Sequence, residues 1–506
     1  MNDSKNPRVL VITPEVAFLP QNISTLSSGI SAKAGGLGDV SASLIQALFD
    51  QGADVHVALP HYRTMFGGRY GPLAKFRCQA AQGGMPIERV HLAEDRIFFY
   101  RNHVYSNHYH TNLKIALTFQ REVINNIIPF VQPDLIHCSD WMTALIPAMA
   151  RKLGIASLFT FHNFHSIYAT LAQIEDTGID TAFFWQNLYY RYYPDTYENM
   201  YVANPVDFLV SGIFSAHFVN TVSPSFLMEM VEGRHDFVVP ALREELDHKW
   251  KAGCATGILN APDPSFNPAT DPEIAYTYGS EDHPEQKRKN KRFLQHALGL
   301  TEDESAPLFF WPSRLDGTQK GCQLLAEILY EVISRYWKEN LQIMFVADGE
   351  YQAHFRDIVA HHGFWNRVAV CHFNDSLARQ AYAAADFVLM PSRFEPCGLP
   401  QMIGAKYGCL PVAHDIGGIH DTVRPLNVAE NTGNGFLFEI YDANGLLWAM
   451  DQAMDFHVLP GSTKNPQIGR VMQEAAVQFN HEVTARQYMD IYERMLHRPL
   501  IKREMK

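Results

Sequence analysis

Short apolar runs recur along the chain, each followed by a stretch whose apolar residues fall three or four apart. Val9–Thr13 (VLVIT) is the first run, and it stops at Pro14. Asp39–Phe49 has the spacing of an amphipathic helix, and Ala53–Leu59 reads as a second buried strand. Leu135–His137, Ser157–Phe161 and Phe218–Val222 repeat the strand pattern, with helical stretches between them. The rhythm restarts after Ala261-Pro262-Asp263-Pro264. Phe309–Trp311, Gln342–Val346, Val368–His372, Phe387–Met390 and Leu410–Ala413 read as strands. Lys320–Tyr336, Leu377–Ala385 and Leu399–Tyr407 read as helices. Apolar strands alternating with helices predict parallel sheets covered on both faces, an α/β fold. Two such series predict two doubly wound domains, residues 1–258 and 259–473. Ser265–Asn290, rich in Pro, Asp and Glu, reads as the linker and its exposed approach, and Glu474–Leu496 reads as a final helix. Two such domains are expected to face each other across a cleft. In open α/β sheets ligands bind beyond the carboxyl ends of the strands, so the loops after each strand hold the candidates.

The chain has 506 residues, enough for two to four domains at ~100–200 residues each. Hydrophobic residues make up 47% and charged residues 19%, an ordinary globular composition. The formal charge of −12 speaks against nucleic acid or an anionic membrane as the main partner. No stretch approaches the ~20 apolar residues of a spanning helix. The first apolar run is too short for a secretory signal, and an acid follows it directly. Seven scattered cysteines without a CxxC fit a reducing cytoplasm rather than a disulfide framework or a zinc site.

Lys33-Ala34-Gly35-Gly36-Leu37-Gly38-Asp39-Val40 opens a helix. Glycines let a backbone approach a phosphate closely, and a helix start offers N–H groups to an anion. The alternative is a plain helix start with Asp39 as its N-terminal charge. The dinucleotide fingerprint is incomplete, with Ser41 at its last glycine and no acid after Leu59-Pro60. Ser313-Arg314-Leu315-Asp316-Gly317-Thr318-Gln319-Lys320-Gly321 follows a strand. Its two cations could neutralise a leaving diphosphate, or could be solvated surface charges. Pro391-Ser392-Arg393-Phe394-Glu395-Pro396-Cys397-Gly398-Leu399-Pro400 joins a strand to a helix. Glu395 there needs water, a ligand or a cation, and the alternative is a helix-cap acid paired to Arg393. His162 in Phe161-His162-Asn163 could hydrogen-bond a hydroxyl or a developing charge, or be a satisfied core group. Asp140 in Ser139-Asp140-Trp141 is either a helix N-cap or a cleft carboxylate. His103, His108 and His110 fit no zinc spacing, and neither a Walker lysine motif nor HExxH occurs.

Taken in order, Lys33–Val40, Ser313–Gly321 and Pro391–Leu399 resemble bacterial glycogen synthase and plant starch synthase. Thr221-Val-Ser-Pro224, Gly257-Ile-Leu-Asn260, Lys406-Tyr-Gly408 and Gly417-Gly418 support the resemblance, which runs from about Val9 to Asp455. It implies a GT-B fold, two facing Rossmann-like domains with a C-terminal helix (about 474–506) crossing back to the first. It implies retaining, metal-independent glucose transfer from ADP-glucose to the non-reducing 4-hydroxyl of an α-1,4-glucan, with no cofactor. Carried over by position, Arg314 and Lys320 hold the diphosphate and Glu395 contacts the donor glucose. The backbone of Cys397, Gly398 and Leu399 surrounds sugar and phosphate. Lys33, Gly35, Gly36 and Asp39 face the donor from the first domain. His162 lies under the reacting sugar, with Asp140 and Asn260 nearby, and Phe373 falls where an aromatic residue stacks on adenine.

The chain departs from the family pattern in places. One extra residue separates Arg314 from Lys320, which calls for a bulged loop. A longer loop (Phe18–Ala32) precedes Lys33, Val210 replaces a frequent lysine, and Asp236–Leu246 lacks the glycine-rich acceptor-side pattern. A different acceptor, UDP-glucose as donor, or a catalytically silent glucan-binding paralogue are the competing readings. A phosphorylase is disfavoured, since no lysine motif for a pyridoxal cofactor is present.

Overall fold

A computed structural model describes residues 6–24, 29–66 and 88–501. Cys78 and part of the loop before Lys33 lie outside them. The chain divides into two compact units. Unit 1 comprises residues 1–222, 227–258 and 481–506, and unit 2 comprises 223–226 and 259–480.

Unit 1 is built on β1 (Arg8–Ile12), β2 (Asp54–Pro60), β3 (Val90–Ala93), β4 (Leu135–Ser139) and β5 (Ala156–Phe161). A two-stranded ribbon of β6 (Tyr168–Ala169) and β7 (Val206–Asp207) stands apart, and β8 (Phe218–Thr221) and β9 (Ala255–Gly257) complete the sheet. The sheet order is β3-β2-β1-β4-β5-β8-β9, parallel throughout. Val11 sits between Val57 and His137, with helices to cover both faces, which is why these strands read as apolar without alternation.

Unit 2 contains β10 (Leu308–Trp311), β11 (Gln342–Val346), β12 (Val368–Cys371), β13 (Phe387–Met390), β14 (Leu410–His414) and β15 (Phe436–Phe438). Its order is β12-β11-β10-β13-β14-β15, also parallel. Both sheets therefore reverse direction beside their first strand, between β1 and β4 and between β10 and β13. These are the switch points where α/β folds bind ligands.

The helices that bear on the site are α1 (Gly36–Asp50), α2 (His283–Leu298), α3 (Cys322–Arg335), α4 (Asp375–Ala384), α5 (Pro400–Lys406), α6 (Gly461–Gln478) and α7 (His481–Leu496). Four of them depart from the sequence reading, at three places. Ser265–Asn290 is not an exposed linker. Tyr278 is buried and donates to the Tyr407 carbonyl at 2.8 Å, while buried Asp271 binds Arg379 and the Tyr407 hydroxyl. One aromatic anchor outweighs the polar composition around it, and α2 already begins at His283. The helix expected over Glu474–Leu496 is two helices, α6 and α7, broken at Phe479-Asn480. The break falls where the chain leaves unit 2 and re-enters unit 1. Finally, α3 starts at Cys322 rather than Lys320. Gly321 has φ +72°, and a Cβ there would collide with the Pro391 carbonyl.

α7 packs along α1 in unit 1. Its buried tyrosines reach the strands themselves. Tyr492 Oη lies 2.7 Å from His137 Nδ1, and Tyr488 Oη accepts from Asn220 at 2.9 Å. His137 Nε2 also meets Thr160 Oγ1 at 2.8 Å. Burial pushes the His137 ring down to about 3, so it stays neutral. Among the described residues no helix is long and apolar enough to cross a membrane.

Candidate active site

In unit 2 the loops after β10 and β13 meet at the switch point. The first turns back on itself through Asp316, whose carboxylate accepts from the Thr318 and Gln319 amides at 2.7 and 3.1 Å. The Lys320 amide donates to the Asp316 carbonyl at 3.0 Å. This compact turn lies between Arg314 and Lys320. Left-handed Gly321 then brings Lys320 against the second loop, where its Nζ lies 2.6 Å from Glu395 Oε2. Ser392 Oγ donates to the same oxygen at 3.1 Å. Both partners are mostly buried, with side-chain exposures of 12% and 7%. Glu395 therefore pairs with Lys320 and not, as a capping acid would, with Arg393. Arg314, on the same loop as Lys320, is exposed and makes no ion pair among the described residues.

The second loop is held from behind. Gln401 Nε2 donates to the Cys397 and Gly398 carbonyls at 2.9 and 2.8 Å. The Gly418 amide donates to the Glu395 carbonyl at 2.9 Å, and a Cβ at Gly418 would collide with the Cys397 carbonyl. Leu399 is the N-cap of α5 and Pro400 its first residue, where a missing N–H costs nothing. Burial pushes the Cys397 thiol up to about 12, against a hydrogen bond from the Asn260 amide. Asn260 is thus beside Cys397, and its side-chain Oδ1 is buried without a partner among the described residues. Phe373 follows β12 and is 58% exposed.

In unit 1 the loops after β1, β4 and β5 carry the candidates. Asp140 follows β4 with φ +57° and ψ −179°, a region that residues with a Cβ seldom enter. Its side chain caps no helix amide. Instead Oδ1 accepts the His162 amide at 2.7 Å and lies 3.3 Å from His162 Nδ1. The strained backbone is held by the Asp140 amide, which donates to Thr160 on β5 at 2.9 Å. Asp140 thus stands at the N-cap position of the short turn Trp141–Thr143, but its carboxylate serves His162 and not that turn's amides. His162 Nε2 is buried and has no partner among the described residues. It is not a satisfied core group.

The glycine-rich segment enters α1 through Gly35, an N-cap without a side chain. Lys33 Nζ lies 2.7 Å from Asp39 Oδ2 in the first turn, and Lys33 is half exposed. A Cβ at Gly35 or Gly36 would meet nothing within 4 Å. Two groups here went unread in the sequence. Glu15 Oε2 accepts the Ala34 and Gly35 amides at 2.6 and 2.9 Å, and Oε1 accepts the Tyr105 hydroxyl at 2.9 Å. The signal was available: Glu15, like Glu395, is an acid just beyond a buried strand. Among the described residues, no three His, Cys, Asp or Glu side chains are grouped to hold a metal ion.

Comparison with known proteins bears on both units. The family described as "Starch synthase catalytic domain" matches residues 8–241, and "Glycosyl transferases group 1" matches 306–455. The glycogen synthase of Moorella thermoacetica is 31% identical, covering 97% of this chain and 98% of the relative. The chain belongs to the glycogen and starch synthase family. The glycogen synthase of Bacillus subtilis is 32% identical, over 84% of this chain and 88% of its own. Among solved structures, the catalytic domain of starch synthase IV from Arabidopsis thaliana, bound to ADP and acarbose, has a TM-score of 0.77. It shares 26% identity and covers 98% of this chain and 100% of its own. The sucrose-phosphate synthase of Thermosynechococcus elongatus, at 16% identity and TM-score 0.56, shares the fold alone. The fold is thus GT-B with two Rossmann-like sheets, and this family member is a glycosyltransferase that adds glucosyl units to a glucan.

Proposed function

We propose that the donor is ADP-glucose, that the acceptor is the non-reducing 4-hydroxyl of an α-1,4-glucan, and that transfer proceeds with retention and without a divalent metal. The observation that carries this reading is the meeting of Lys320 and Glu395 at the β10/β13 switch point, with Arg314 on the same loop. A buried cation beside a carboxylate suits a donor with a negative diphosphate and a sugar that turns positive as its bond breaks. The ADP bound by the Arabidopsis relative supports an adenine nucleotide, and the exposed Phe373 is suited to stack on it.

In this mechanism the bond from the anomeric carbon to the diphosphate oxygen breaks as the bond to the acceptor oxygen forms on the same face. The leaving phosphate takes the acceptor proton. Arg314, Lys320 and the backbone of Cys397, Gly398 and Leu399 stabilise the departing charge, and Glu395 orients the donor glucose. From unit 1, Lys33, Gly35, Gly36 and Asp39 bear on the donor, and the open space at the two glycines permits close approach. His162 offers Nε2 to the sugar, while Asp140 fixes the ring, and Asn260 supplies a further acceptor atom. The Cys397 thiol, kept protonated, is no nucleophile. We place the protein in the cytoplasm, in line with six free cysteines among the described residues.

The test is donor competition. Radiolabelled ADP-, UDP- and GDP-glucose are each offered with glycogen, and the product is sized and digested with linkage-specific amylases. Preferential incorporation from ADP-glucose into α-1,4 chains is expected. Equal use of UDP-glucose overturns the donor assignment, and a β-linked product overturns retention.

A further inference from the structure

One buried carboxylate has no part in the chemistry above. Glu15, on the loop after β1, is 2% exposed. A carboxylate so placed is costly unless donors surround it, and three do: the amides of Ala34 and Gly35 and the hydroxyl of Tyr105. Gly35 has no side chain to cap α1, and Glu15, 20 residues upstream, takes the Gly35 amide and the Ala34 amide just before the helix. Gly38 makes room for it. A Cβ there would come within 3.2 Å of both Glu15 Oε2 and Lys33 Cγ. The chain on either side is pinned as well, by the Val16–Ala32 bridge and by the Ala17 amide on the Gly38 carbonyl at 2.9 Å. Tyr105 in turn stands with its ring 6.3 Å from that of Trp141, next to Asp140.

We propose that Glu15 is a positioning residue, an internal anion that latches the Lys33–Asp39 segment by occupying the amides at its entrance, with Tyr105 as its second anchor. Because those two amides are taken, main-chain hydrogen bonds to an anionic ligand come from Gly36 onward, beside Lys33, and Gly35 contributes only the open space at its Cα. The inference rests on the reading that Lys33 faces the donor, and its test separates the two.

Amide hydrogen exchange at Ala34 and Gly35 is measured in the full chain for the native protein, Glu15→Gln and Tyr105→Phe. Exchange at both amides should rise about tenfold or more in Glu15→Gln and less in Tyr105→Phe, with β1 and β2 unchanged. Unchanged exchange at Ala34 and Gly35 overturns the latch. Should Glu15→Gln fail to fold, Tyr105→Phe keeps the carboxylate and carries the same comparison. Turnover adds a second readout. Glu15→Gln should lower kcat about tenfold with little change in KM for ADP-glucose, and should cost little more in a Lys33→Ala background. Fully additive losses overturn action through Lys33. If exchange rises while Lys33→Ala turns over normally, the latch stands and the donor role of Lys33 falls.

Discussion

Lys320 and Glu395 are 75 residues apart in sequence and 2.6 Å apart in space, and they join the loops on either side of the β10/β13 switch point. Each is the other's answer to burial. Replacing Glu395 by alanine leaves a buried ammonium unpaired and removes the group assigned to the donor sugar. Turnover of Glu395→Ala should fall about a hundredfold or more, while ADP affinity changes by a few fold at most. Steady-state kinetics with ADP titration checks this, and unchanged turnover would remove Glu395 from the chemistry. In a double-mutant cycle Lys320→Ala and Glu395→Ala should be strongly non-additive.

Asp140 holds an uncommon backbone conformation for the sake of its contact with His162. Glycine tolerates that conformation and alanine does not. Asp140→Gly should therefore melt higher than Asp140→Ala, by the equivalent of about 1–2 kcal/mol, although both lose the carboxylate. Both should be slow in glucosyl transfer. Equal melting temperatures would show that the φ of +57° stores no strain.

His137 ties β4 and β5, the strands leading to Asp140 and His162, to Tyr492 on α7. Its ring is held neutral in the fold, at about 3, whereas an unfolded histidine titrates near ~6.5. Between those limits the unfolded chain binds a proton that the folded chain does not. Stability should thus fall as pH falls through that window, and His137→Leu should flatten the slope by close to one proton. Urea melts at closely spaced pH values report the slope; an identical slope in the variant would contradict the assignment.

In unit 2, Asp386 accepts from Lys291 Nζ at 2.6 Å and from the Leu308 amide at 2.9 Å, pinning the start of β13 to β10. Burial alone would raise its carboxyl, but Lys291, His457 and the amide bring it down to about 2. Its contribution is present above the ordinary carboxylate range and is lost as pH falls from about 4 toward 2. Asp386→Asn should cost about 3 kcal/mol by denaturant unfolding at neutral pH, and much less near pH 2.

The inner strands were legible because each is buried on both faces, so Val9–Thr13 or Phe387–Met390 stands out as an unbroken apolar run. Of the edge strands, β12 stands out as the apolar run Val368–Cys371, whereas β3, β9 and β15 do not stand out. They have three or four residues, and Val90–Ala93 and Ala255–Gly257 each include a polar one. The loop motifs were legible as strand-end glycines, cations and acids. Their partners were not, because pairing depends on which loops the topology brings together. Lys320 with Glu395, and Glu15 with the Gly35 amide, each cross tens of residues or a turn of special φ. Composition misled at Ser265–Asn290, where Tyr278 and Asp271 bury a segment that is polar on average.

The initial rate of glucose transfer from ADP-glucose to glycogen, measured after exhaustive treatment with EDTA, bears most directly on leaving-group stabilisation by Arg314, Lys320 and main-chain amides. The rate should equal that of untreated protein and should not rise when magnesium or manganese is returned. Loss of activity on chelation, with recovery on adding either ion, would contradict it.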